Sequence, residues 1–250
     1  MTPARGLYLY ASVPHDAQLG AVRGIAGEPV EIMRHARLGL VLGEVAVDRL
    51  AGLDDPAADP GALGALARRH DEVVRTAWAA AGAVLPFRLG TVLVDRDAAR
   101  RYLDERAGEL GPALQQVAAC REWGVTVHER ATELAAHADP IAAPDGRPGT
   151  AYLARRRQEL VRAEAHRHAR SHALSQLEGE LREAAIDVAA GRHRTPDVVL
   201  DNSYLVPRDA EPAFFDAVDR CGDLLLEHGL QLELSGPWPP YSFVPRESRP

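Results

Sequence analysis

Glu122-Trp-Gly-Val-Thr-Val-His-Glu129 opens the part of the chain whose order of elements decides the fold. It reads as a strand. A long helix is expected next, from about Ala151 to Ala190, with Leu174, Leu177, Leu181, Ala184, Ala185 and Val188 forming a core stripe at helical steps. Val198-Val-Leu200, the tight-turn pair Asp201-Asn202 and Tyr204-Leu-Val206 then read as a hairpin. Asp209 opens a second helix that turns Phe214, Phe215, Val218, Cys221, Leu224 and Leu225 inward and closes at Gly229. Leu230-Gln-Leu-Glu-Leu234 alternates apolar and polar, so one face of this last strand is wet. The order is βαββαβ, the ferredoxin-like arrangement, and the fold class is α+β.

Upstream, Gly6-Leu-Tyr-Leu-Tyr-Ala-Ser-Val13 has strand periodicity, with Leu7, Leu9, Ala11 and Val13 on one face and Tyr8, Tyr10 and Ser12 on the other. Pro29 to Met33 and Leu38 to Val47 read as two short strands around His35-Ala-Arg37. Asp59-Pro60 supplies a helix cap with proline at the first position, and Gly82 the left-handed stop. Between them Leu63, Leu66, Ala67, Val73, Val74, Ala77, Trp78 and Ala81 form one stripe. Ala83 to Val94 is almost continuously apolar and reads as a strand in which Pro86 forces an edge, bulge or bend. A helix from about Asp97 to Ala119 follows, and Pro112 is expected to kink or split it. Ala138 to Gly149, with its prolines and glycines, reads as a surface loop, and Thr150 is placed to cap the long helix.

A length of 250 residues favours two compact units at a prior of about 150 residues per domain. The expected division is an N-terminal α+β domain over 1–119, a ferredoxin-like domain over 120–236, and a tail over 237–250 packed on the domains. The chain carries 29 basic and 36 acidic residues, a net charge of −7, and all the basic residues are arginine. An acidic total argues against general nucleic-acid binding, which needs surplus cations to displace counterions. The two cysteines, Cys120 and Cys221, are too few for a disulfide framework or a zinc site and read as buried structural thiols in a reducing cytosol. The N-terminus lacks the pattern of a signal peptide, and no apolar run approaches the ~20 residues of a membrane span. A cytoplasmic, soluble chain with no membrane partner is expected.

Enzyme fingerprints are missing. There is no GxGxxG after a strand, no GxxxxGK[ST], no GxSxG and no HExxH. Without lysine, Schiff-base and P-loop-lysine mechanisms are closed. His168 and His172 lie four apart on one helix, with His166 and His128 as further candidates, but two imidazoles do not make a site. They read as a solvated face, and neither metal nor cofactor is expected. Arg155, Arg156, Arg157, Arg162, Arg167 and Arg170 face only Glu159 and Glu164, which makes this half of the long helix basic. It reads as an exposed helix laced with pairs such as Arg155 with Glu159, or as a docking face for an acidic partner surface. Arg88, set in an apolar run, reads as a structural ion-pair residue with Glu122 as its carboxylate. A ligand-binding or catalytic cleft between the domains, using Arg88, Glu122 and His128, is the alternative reading.

The most specific stretch is Ser235-Gly-Pro-Trp-Pro-Pro-Tyr-Ser-Phe-Val244, where Trp238, Tyr241 and Phe243 are locked between prolines. Aromatics on so stiff a path find pockets, in the same chain or in a partner. Together with Val84-Leu-Pro-Phe-Arg-Leu-Gly-Thr91, Glu122-Trp-Gly-Val125, Gly149-Thr-Ala-Tyr-Leu-Ala-Arg155 and Tyr204-Leu-Val-Pro207, in that order, this ending resembles the gas vesicle protein GvpL/GvpF family. The opening Leu7-Tyr-Leu-Tyr-Ala strand fits as well, so the likeness spans essentially the whole chain. The resemblance implies a two-domain α+β accessory protein, with no catalytic residues, that associates with the small hydrophobic vesicle shell protein and other accessory proteins during assembly. Arg155, Arg156, Arg162, Arg170, Trp238, Tyr241 and Phe243 are the partner-binding candidates on this chain.

Overall fold

The structure, a computed structural model, describes residues 4–50, 59–130, 148–191 and 195–245. The chain forms two compact units, Met1–Glu122 with Pro237–Pro250, and Trp123–Gly236. The expected loop between Ala138 and Gly149 lies, up to residue 147, outside the described residues.

In the first unit, β1 (Arg5–Pro14), β2 (Val30–His35), β3 (Leu38–Ala46), β4 (Leu85–Pro86) and β5 (Val92–Leu93) form an antiparallel sheet in the order β2-β3-β1-β4, with β5 also on β1. The β2–β3 hairpin turns on Ala36 and Arg37, both with positive φ, a conformation that a tight two-residue hairpin needs and that neither side chain favours. The expected alternation of β1 does not hold throughout. Its pairing with β3 slips between Leu9 and Ala11, and Tyr8, Tyr10, Ala11 and Val13 all join one buried cluster with Val73, Val74 and Ala77. An extra residue at a bulge inverts the period-two pattern beyond it, so the face read from spacing alone switches sides there.

Those last three residues belong to α1 (Pro60–Ala81), which starts and stops as its caps predict. The Asp59 carboxylate accepts from the Gly61 amide at 3.0 Å, and Gly82 adopts φ 71°. The run from Ala83 to Val94, expected as one strand, yields only the short β4 and β5. Pro86 has no donor for the ladder, and the chain turns at Gly90 (φ 88°), where the Thr91 amide donates to the Arg88 carbonyl at 3.2 Å. α2 (Arg96–Val117) is capped by Asp95, whose side chain accepts from the Ala98 amide at 2.7 Å. It continues through Pro112, so the split expected as one of two outcomes does not occur. Proline near the C-terminal end costs one backbone bond, and buried Leu110, Leu114 and Val117 hold that turn to the sheet.

In the second unit, β6 (Cys120–Glu129), β7 (Asp187–Ala190), β8 (Val198–Pro207) and β9 (Leu230–Trp238) make a sheet in the order β7-β8-β6-β9. α3 (Pro148–Ala184) and α4 (Glu211–Glu227) pack against each other. Val125, Val127, Leu177, Leu181, Tyr204, Phe214 and Leu225 form the centre of the buried cluster. Two expectations are corrected here. The long helix ends at Ala184, not near residue 190, because Asp187–Ala190 pairs antiparallel with β8. Asp201 and Asn202 are not a turn: β8 runs straight through them, with Ala190 opposite Asn202 and the Gly191 amide donating to the Asp201 carbonyl at 2.7 Å. The hairpin therefore exists one strand earlier, between β7 and β8. The helix starts are also displaced: α3 begins at Pro148, two residues before Thr150, and α4 begins at Glu211, two residues after Asp209.

Candidate interaction surfaces

The first half of α3 runs past the end of α4. The His166 ring lies 6.3 Å from that of His228, just past the last residue of α4, so the 18 residues from 148 to 165 extend about 27 Å beyond that point at 1.5 Å per residue. Every described side chain from Tyr152 to His168 is exposed. Tyr152 and Leu153 are each 66% exposed, Leu160 56% and Val161 58%. Arg155, Arg156, Arg157, Arg162 and Arg167 surround these apolar groups. The glutamate pairing differs from expectation: Glu159 is met by Arg156 at 3.2 Å, not by Arg155. Arg170 is tied down at the base of the projection, 2.5 Å from Glu129 at the end of β6. The face thus combines free cations with large apolar side chains, the makings of a protein-docking surface.

The aromatic ending is held by its own chain. The Tyr241 hydroxyl donates to Asp71 Oδ1 at 2.9 Å, Asp71 Oδ2 accepts from Arg75 Nε at 2.6 Å, and the Arg75 guanidinium sits 4.7 Å over the Trp238 ring. A single 3₁₀ turn, Tyr241–Phe243, presents the Ser242 amide (2.9 Å) and hydroxyl (2.7 Å) to the two oxygens of Glu122. Trp238 and Tyr241 remain partly exposed, and Phe243 is half-buried.

Glu122 is only 5% exposed, so its charge is compensated by those two donors. This corrects the expected ion pair. Arg88 is exposed beside the turn at Gly90, and the carboxylate expected to meet it is engaged by Ser242. The apolar neighbours Val84, Leu85 and Phe87, which suggest a buried Arg88, are themselves buried, but the chain leaves strand geometry at Arg88 and its side chain is exposed to water. His128 holds Asp197 at 3.0 Å and lies 3.6 Å from Glu233. Among the described residues no three His, Cys, Asp or Glu side chains are arranged to hold a metal ion, and His168 and His172 lie exposed on α3.

A buried polar network escaped the sequence reading. His70, 4% exposed, places Nε2 3.2 Å from the Phe87 carbonyl and Nδ1 3.0 Å from the Tyr8 hydroxyl. A carbonyl oxygen only accepts, so Nε2 carries the proton and Nδ1 accepts from Tyr8. The Tyr8 oxygen in turn accepts from the Gly90 amide at 3.0 Å. Beside it the Tyr10 hydroxyl donates to Glu28 at 2.6 Å and accepts from the Ile25 amide at 2.8 Å. Burial lowers the His70 pKa to about 4 and raises that of Tyr8 to about 12. Its signal was available: His70 falls on the apolar stripe of α1, with Val73, Val74 and Ala77. These groups are satisfied by one another and by backbone, so the network is structural and offers no open valence for chemistry.

A family model described as gas vesicle synthesis protein GvpL/GvpF matches residues 6–245. The chain belongs to the GvpL/GvpF family. It is 34% identical over 265 residues to gas vesicle protein L of Streptomyces sp. (strain CB03234), covering 98% of this chain and 94% of that protein. Gas vesicle protein F of the same strain is 31% identical over 186 residues, covering 70% and 75% of the two chains. Among solved structures, the crystal structure of GvpF from Anabaena sp. PCC7120 shares the fold at a TM-score of 0.69 with 19% identity, covering 96% of each chain. In this GvpL/GvpF protein the stretches that carry the resemblance fall at structurally demanding places. Val84–Thr91 contains β4 and the Gly90 turn, Glu122 anchors the tail, and Gly149–Arg155 begins the projecting half of α3. Among the described residues no helix is long and apolar enough to cross a membrane.

Proposed function

We propose that this protein is a non-enzymatic accessory or minor structural factor of gas vesicle assembly, acting in the cytoplasm and at the vesicle by contacts with the shell protein and other vesicle proteins. A shell subunit apolar enough to exclude water is prone to aggregate before it is assembled, and a soluble partner that covers it transiently or seeds its ordered addition relieves that hazard. The observation that carries this reading is the first half of α3, with Arg155, Arg156 and Arg162 beside Leu153, Leu160 and Val161, all exposed. Trp238, Tyr241 and Phe243 are the secondary candidates. A two-domain architecture with a ferredoxin-like C-terminal domain belongs to the same reading. Its support is the sheet order β7-β8-β6-β9, with α3 joining β6 to β7 and α4 joining β8 to β9. The test is genetic and biochemical together. Deleting the gene should change vesicle number or shape, and the purified protein should capture the shell protein or another vesicle protein. Unchanged vesicles with no capture would refute the proposal.

A further inference from the structure

The second unit carries a groove that matches its own projecting helix. Between α4 and the edge strand β9 lies a depression of about 600 Å³, lined by Val218, Gly222, Leu226 and Leu232, by the carboxylates of Asp219 and Asp223, and by Arg130. Val218, Gly222 and Leu226 stand four apart along one row of α4, and a Cβ added at Gly222 would meet nothing within 4 Å. A small residue at the centre of such a row lets another helix approach closely. Leu226 is 46% exposed, so the groove offers a large apolar side chain to a partner.

The charges are reciprocal. From Arg155 to Arg170 there are six arginines against two glutamates, while α4 carries Glu211, Asp216, Asp219, Asp223 and Glu227 against Arg220 alone. On the projecting half of α3, Leu153 and Leu160 are seven residues apart and therefore share one stripe, with Arg156 and Arg157 between them. That stripe offers apolar groups to the apolar lining of the groove and guanidinium groups to its carboxylates. α3 is helical without interruption from Pro148 to Ala184, so its first half cannot turn back onto the α4–β9 groove of the same molecule. The match is available only between molecules.

We infer that the α4–β9 groove receives the first half of α3 from a second copy of this chain. The contact is head-to-tail: each molecule presents its helix to one neighbour and its groove to another, so association is open-ended unless a rotation closes a ring. With the whole chain at −7, two copies repel at long range, and this local pairing of opposite charges is what selects the contact. The inference goes beyond the proposed function and needs no vesicle partner, although it uses the same helix face. A vesicle protein that bound α3 would compete with the self-contact.

Sedimentation velocity of the purified full-length protein at low salt, from micromolar to near-millimolar concentration, tests it. The wild type should form species that grow with concentration and shrink as salt is added. Leu160→Glu on the helix and Gly222→Arg in the groove should each weaken association by about tenfold or more. Both sites are open to solvent or to empty space, and circular dichroism of each variant reports its folding. The decisive measurement is the mixture: one variant keeps an intact groove and the other an intact helix, so together they should recover a dimer that does not grow further. A wild type that stays monomeric, variants that associate like the wild type, or a mixture as monomeric as its components would each overturn the inference. None of these outcomes depends on capture of a vesicle protein, so this inference and the proposed function fail separately.

Discussion

Acidification should remove stability from the first unit through one residue, His70. Its neutral form is fully satisfied, with Nε2–H donating to the Phe87 carbonyl and Nδ1 accepting from Tyr8, and burial holds its pKa at about 4 against an ordinary 6.5. Between those two values the unfolded chain binds a proton that the folded chain refuses. Stability is therefore complete above about pH 6.5, falls as the pH drops through that window, and levels off below about pH 4, where both states are protonated. At about 1.4 kcal/mol per pKa unit, the shift corresponds to roughly 3 kcal/mol in total. Carboxylates elsewhere also titrate at the lower end, so the comparison must isolate this residue. His70→Gln retains a donor for Phe87 and an acceptor for Tyr8 but cannot take up the proton. Urea denaturation of both proteins at steps from about pH 7 to about pH 4 gives the two stability curves. The variant should be the less stable at neutral pH, and the wild type should then lose about 3 kcal/mol more than the variant on acidification. Parallel curves would show that His70 protonates in the folded state as readily as in the unfolded one, and would refute the argument from burial.

Three further outcomes follow from the bonding. Glu122→Gln replaces a buried acceptor of two donors by a group that can accept at only one atom, and should cost about 1–3 kcal/mol while making the chain after Pro237 sensitive to limited proteolysis; unchanged stability and protection would contradict the tail clamp. Arg88→Met should shift stability by no more than about 0.5 kcal/mol, because the side chain is exposed; a loss of several kcal/mol in thermal denaturation would restore the buried ion pair rejected above. Asp95→Ala should cost about 1 kcal/mol in chemical denaturation by freeing the Ala98 amide, whereas Asp95→Asn should keep most of that stability.

The parts of the fold legible from sequence are those set by neighbours along the chain. Asp59, Pro60 and Gly82 delimit α1 to the residue, because a cap is a local hydrogen bond or a local left-handed φ. The errors come where partners distant in sequence decide. Asp201-Asn202 carries turn chemistry, but Ala190 and Gly191 supply an antiparallel edge that satisfies the backbone there, and Asn202 is buried with its amide 3.5 Å from the Tyr204 hydroxyl. Val188 faces the core as predicted, yet from a strand: a single apolar residue near the end of a helical stripe fits both periodicities. The bulge in β1 is of the same kind, since nothing within Leu9-Tyr-Ala11 announces that β3 will skip a residue opposite it.

The candidate surfaces divide along the same line. The exposed half of α3 could be read from composition because its apolar residues, Leu153, Leu160 and Val161, are few among many arginines, too few to hold that half to a core. The Glu122–Ser242 clamp could not, because it joins residues 120 positions apart and its donors are a backbone amide and a serine, neither of which signals a partner in sequence. An arginine in an apolar run reads as buried and in need of a carboxylate, and that logic fails where the side chain turns to water and the buried carboxylate is satisfied without any cation. The same reasoning bears on the aromatic ending. Trp238 and Tyr241 lie on a proline-stiffened path that a partner could read, but Asp71 and Arg75 of α1 already engage them. A partner at the tail would have to displace or build upon those bonds, whereas at the first half of α3 it would meet exposed apolar side chains that the rest of the same molecule does not cover. That difference in what must be given up is the physical reason for ranking the helix above the tail among the proposed partner-binding surfaces.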